Sequence, residues 1–106
     1  KALRAAEIDA YKQLTKQLVG FTLESQTKVE NYILSSDVVR TKVMATLFMA
    51  QVSEYGWHDS GDAYVKMTLN PAEVGDVIGQ RLANANGLIE VEGMGAQEDD
   101  FSSAQN

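Results

Sequence analysis

The chain has 106 residues, 44% hydrophobic and 23% charged, with 15 acidic side chains against 9 basic ones and a net charge of -6. That length bounds it to one domain with a single modest core, and the composition excludes wholesale disorder. The acidic balance argues against nucleic acid and anionic lipid surfaces as partners, and the absence of cysteine removes disulfides, thiolate nucleophiles and cysteine-based metal sites.

The first element is predicted over Leu3 to Gly20. Ala2, Ala6, Ala10, Leu14 and Leu18 recur every four residues, with Leu3 and Tyr11 beside them, which places them on one face of a helix. The alanine half lets the helix axis lie close to whatever it covers, and the leucine half fills space. Asp9, Gln13 and Lys16 fall elsewhere on the wheel. Glu7 intrudes on the apolar arc, where Arg4, three residues back, is placed to pair with it. Gly20 is expected to stop the helix in a left-handed conformation. The helix pattern is already running at Lys1, so the expectation is a trimmed chain whose upstream part carried any targeting segment.

After Gly20 the period becomes alternating. Val19, Phe21 and Leu23 are apolar while Thr22, Glu24, Gln26 and Lys28 are polar, which predicts a half-buried strand to Val29 with its odd-numbered face towards the core. Val29 to Ser35 is ambiguous between a strand end and a helical turn. Ser35-Ser36-Asp37 offers an N-cap, and a short helix is predicted from about Asp37 to Ala45. From Leu47 the chain reads as extended to the turn Asp59-Ser60-Gly61-Asp62. Ala63, Val65, Met67 and Leu69 then alternate with Tyr64, Lys66 and Thr68, and the two extended runs make a β-hairpin.

Asn70-Pro71-Ala72-Glu73 opens the next helix with an N-cap, a proline at the first helical position and a capping-box glutamate. Its apolar face is Val74, Val77, Ile78 and Leu82, and Asn86-Gly87 is expected to end it. Gly75 and Gly79 sit one turn apart, which weakens a helix, so they mark either close packing on the sheet or the approach of another protein. Leu88 to Glu92 is a short strand, and 93–106 reads as an acidic tail with only Met94 and Phe101 to bury. The fold class is α+β: a small antiparallel sheet with helices packed on one face, in a single domain over 1–92.

Catalytic chemistry is sparsely represented. His58, the lone histidine, stands beside Trp57 and Asp59 without a nucleophile or a second metal ligand, and reads as an exposed turn residue. Glu90, Glu92, Glu98, Asp99 and Asp100 lack the ligand alternation of a calcium loop. Gly93-Met94-Gly95 lacks the third glycine and the context of a dinucleotide fingerprint. No acid, base and nucleophile cluster stands out, so neither an enzyme, a cofactor nor a metal is expected. Tyr55, Trp57 and Tyr64 on the hairpin are either sheet cover or contact residues. With Gly75, Gly79 and Phe101 they make the candidate protein interface.

The run from Leu3 to Leu69 resembles small bacterial outer-membrane lipoproteins of the FlgP kind. The matching positions are Ala5, Ala6, Asp9, Ala10, Tyr11, Leu14 and Gly20, then Ser25, Thr27, Val29, Ser36, Asp37, Arg40 and Val43. The chain has no counterpart of the lipid-bearing cysteine and first strand of such proteins. It also lacks a clear counterpart, between Thr46 and Met49, of the glycine ahead of the hairpin strand. The resemblance implies a periplasmic location at the outer membrane, through an upstream lipid anchor, and assembly into a homo-oligomeric ring or disk around the flagellar motor with other motor proteins as neighbours. Two other readings stand beside it: an envelope lipoprotein domain of the same fold with an adhesion or envelope role, and a small-ligand-binding domain with a cleft beneath the hairpin aromatics.

Overall fold

Ala6, Ala10, Leu14 and Leu18, the four-residue repeat of the first helix, are all fully buried in a computed structural model that describes residues 1–96. They lie on one side of α1 (Ala2–Val19). After it come α2 (Val29–Leu34), α3 (Asp37–Phe48), β1 (Gln51–Trp57), β2 (Ala63–Leu69), α4 (Pro71–Ile78) and β3 (Ile89–Gly95). The strands form one antiparallel sheet in the order β1-β2-β3. α1 lies across β2 and β3, while α3 packs on α2 and α4, and α2 and α3 touch α1. The α+β class read from the sequence is the class of the fold.

The sheet buries one face because its residues alternate. Ala63, Val65, Met67 and Leu69 of β2 point towards α1, beside Ile89, Val91, Gly93 and Gly95 of β3. The register pairs Ala63 with Gly95, Val65 with Gly93, Met67 with Val91 and Leu69 with Ile89. The inward side chains therefore shrink towards the end of the sheet that meets the alanine half of α1. A Cβ added to Gly93 would overlap the Ala6 carbonyl oxygen and stand 2.9 Å from the Ala10 Cα; one added to Gly95 would stand 2.7 Å from the Ala6 nitrogen. Helix backbone thus rests on strand backbone, and only glycine facing alanine permits that distance.

Closeness has a second consequence. The outer edge of β3 is met by polar side chains of α1: Met94 N–H donates to Asp9 Oδ2 at 2.9 Å, and Gln13 Nε2 donates to the Glu92 carbonyl at 2.8 Å. Gln13 also donates to Asp9 Oδ2 at 3.1 Å, which ties the two caps together.

Several sequence expectations change. Gly20 does end α1, but in the right-handed region, through N–H bonds from Gly20 to Gln17 O and from Phe21 to Leu18 O. The strand expected over Phe21–Val29 is instead a tight loop folded on itself. Thr22 bridges Lys28, Leu23 bridges Leu82, and Gln26 at φ 80 reverses the chain. Leu23 and Val29 still enter the core, but Ser25 and Thr27 of the same odd-numbered face are exposed, because no partner strand holds the stretch extended. The ambiguous stretch from Val29 is helical. α3 starts where its cap predicts, with Ser36 Oγ accepting from Val39 N–H at 3.3 Å, but runs three residues past Ala45. The stretch from Leu47, read as extended, is first helix and cap; Met49 N–H donates to Thr46 O, and β1 begins only at Gln51.

Asn70 caps α4 through Oδ1, which accepts from Ala72 N–H at 3.1 Å, with Pro71 in the first turn as expected. The helix ends at Gly79 in the left-handed region, φ 72, seven residues before Asn86-Gly87. Leu82 is buried from the following loop, not from the helix. β3 extends through Gly95, so Gly93, Met94 and Gly95 belong to the sheet and not to the tail read from 93 onwards. Phe101 and the rest of 97–106 lie outside the described residues.

Candidate interaction surface

β1 is the strand that α1 leaves largely uncovered. Its partners in register show which way its side chains face: Val52 stands opposite Met67, Tyr55 opposite Val65 and Trp57 opposite Ala63, all inward-facing positions of β2. Val52, Tyr55 and Trp57 therefore lie on the helix side of the sheet, yet Tyr55 and Trp57 are 60% and 59% exposed. A β-bulge between Val52 and Glu54 bends the strand, and among the described residues no strand pairs with its outer edge.

Beside this ledge two recesses adjoin along the flank of α1. The smaller, about 290 Å³, is lined by Leu3, Arg4, Glu7, Val52, Tyr55 and Val65. The larger, about 700 Å³, runs between α1 and α3 and shares Arg4 and Glu7 with the first. Its apolar floor is Ile8, Tyr11, Met44, Leu47 and Phe48, and its rim carries Arg4, Lys12 and Lys16. Tyr11 and Phe48 meet edge to face with ring centroids 5.7 Å apart, yet Phe48 remains 64% exposed. Arg4 holds Glu7 at 3.4 Å, the pair expected from their spacing. From Ile8 to Trp57 this side of the molecule presents large apolar side chains to solvent, the kind of surface that marks a contact site.

The opposite face of the sheet is polar. Tyr64 Oη donates to Glu54 Oε2 at 2.7 Å, Lys66 Nζ stands 3.7 Å from Glu54 Oε1, and the His58 ring lies on Tyr64 with centroids 4.7 Å apart. His58 Nε2 is also 3.6 Å from Glu92 Oε2. The Tyr64 hydroxyl, and after it Lys66, holds the Glu54 carboxyl below its ordinary value, while that carboxylate pushes Tyr64 up. The shifts run in opposite directions, both away from pH 7: Glu54 stays a carboxylate and Tyr64 a phenol, so neither is poised for proton transfer near pH 7. The cluster is an exposed ion-pair and ring network across three strands. His58 is exposed at the hairpin turn, as read from the sequence, and its ring lies on Tyr64 at the end of this network.

The sequence-derived interface residues separate accordingly. Tyr55 and Trp57 share the apolar ledge. Tyr64 lies on the other face. Gly75 is buried where a Cβ would stand 2.7 Å from Gln80 O and 2.9 Å from Leu82 Cδ1, so it serves internal packing, and Gly79 is the helix cap. The groove residues Ile8, Met44 and Phe48 were not singled out by the sequence. Their signal was an i, i+4 apolar pair, Met44 and Phe48, on an otherwise weakly patterned helix. No helix among the described residues is long and apolar enough to cross a membrane. Comparison with protein-family profiles, with characterised proteins and with solved structures gives no match for this chain.

Proposed function

We propose that this protein is a non-catalytic structural subunit that assembles with copies of itself, in a ring or disk at the periplasmic side of the outer membrane, as part of the flagellar motor. The observation that carries self-assembly is the exposed apolar surface on this side, Ile8, Met44 and Phe48 at the groove and Val52, Tyr55 and Trp57 on the ledge, with the Arg4–Glu7 pair between them. The flagellar and outer-membrane part rests on the resemblance of Leu3 to Leu69 to FlgP-type lipoproteins. The bulge in β1 and the charge of Glu54 are devices that discourage simple strand-on-strand addition at that edge. Contact through side chains of the flank and groove is then the favoured route. Such burial excludes water from aromatic anchors, the residues that dominate interface energetics.

Sedimentation velocity over a concentration series, with electron microscopy of the same samples, tests self-assembly. Larger closed species that are lost on Trp57→Ser with Phe48→Ser are expected; a monomer at every concentration overturns the reading. Imaging a tagged chain in flagellated cells tests the location, and a distribution unrelated to the motors overturns the flagellar part. The ligand-binding reading is less favoured, because Trp57 and Tyr64 line neither recess and the one that Tyr55 lines is shallow and open.

A further inference from the structure

We propose that the groove between α1 and α3 receives the acidic-aromatic stretch Glu98-Asp99-Asp100-Phe101 of a second copy of this chain. The inference deepens the self-assembly reading and rests on it.

The chemistry of the two parts is complementary. The chain is acidic as a whole, yet three of its 9 basic residues, Arg4, Lys12 and Lys16, line this one groove. Arg4 is engaged with Glu7; among the described residues no ion pair engages Lys12 or Lys16. Between these cations lies an apolar floor with the exposed Phe48 at its edge. The sequence holds a single run of three consecutive carboxylates, Glu98 to Asp100, and an aromatic residue follows it directly. An aromatic anchor set in an apolar recess, with carboxylates meeting ammonium groups at the rim, is a recurrent way of fastening a short segment.

The place where the described chain ends favours a neighbouring copy over the same chain. β3 finishes at Gly95 against Ala2, on the flank of α1 that carries Asp9 and Gln13. The groove opens on the other flank, past Arg4, Ile8 and Tyr11. Within one chain the segment would first have to cross α1 to reach this groove, whereas in a neighbour it would not. Groove and segment are different surfaces, so the contact is head-to-tail, the type that generates rings when its rotation closes.

The test uses the full 106-residue chain. Phe101→Ala, and separately Lys12→Glu with Lys16→Glu, each weaken self-association by about tenfold or more in sedimentation velocity, with unchanged thermal unfolding. An equimolar mixture of the two variants forms a species of two chains and nothing larger, because one supplies the intact segment and the other the intact groove. Self-association unchanged by Phe101→Ala overturns this inference and leaves self-assembly standing. Loss of association in both variants with no pairing in the mixture overturns the second-copy arrangement. A wild-type chain that stays monomeric throughout overturns the self-assembly reading together with this one.

Discussion

The sheet has two edges, and they are treated oppositely. At β3 the helix lies so close that Asp9 and Gln13 reach the strand's outer backbone groups; at β1 no element covers the strand and its aromatic side chains stand in solvent. The difference follows from residue size. Glycine at 93 and 95 facing Ala2, Ala6 and Ala10 brings α1 onto β3, and a helix seated there cannot also cover β1. Closing one edge tightly therefore leaves the other as the surface available to a partner.

The largest expected effect comes from undoing the closed side. Leu14→Ala removes a fully buried side chain beneath α1 and destabilises by about 2–5 kcal/mol in urea unfolding. Gly93→Ala forces a Cβ into the backbone of α1 and costs about 1–3 kcal/mol by overpacking; the same change at Gly87, where a Cβ meets nothing within 4 Å, separates steric overlap from the conformational cost of replacing glycine at positive φ. Asp9→Ala opens the closed edge without disturbing the core. It costs about 1 kcal/mol, and the Met94 amide exchanges hydrogen faster in NMR.

On the open side Trp57→Ser leaves stability within about 0.5 kcal/mol of the parent, while self-association weakens. Equal loss of stability at both edges would remove the contrast. The smallest effect concerns the polar face. Because the Glu54 carboxyl lies below its ordinary 4.5, its contribution is present above that value and lost as pH falls through the lowered one. Tyr64→Phe removes the largest cause, so the Glu54 carboxyl titrates closer to 4.5 in an NMR pH series.

Legibility in the sequence followed distance along the chain. Phe21–Val29 shows the limit well: alternation identified Leu23 and Val29 as buried, but strand formation needs a partner, and the neighbour it found was the short segment around Leu82. The candidate surface was half legible. Tyr55 and Trp57 stood out as hairpin aromatics, whereas Ile8, Met44 and Phe48 became a groove only once α3 lay beside α1. Tyr64 was grouped with the other two, although its register with Gly56 and Met94 puts it on the opposite face.

What the amino-acid order determined by itself were features settled within a few residues: the buried stripe of α1, the inward face of β2, and the caps at Ser36 and Asn70. These depend on backbone periodicity and on side chains that bond their own neighbours. Only the tertiary structure decided that Gly93 and Gly95 are sheet residues pressed on a helix and that Asp9 and Gln13 cap a strand. Those contacts join residues 85 and 79 positions apart, and no local pattern records which distant backbone will come within reach.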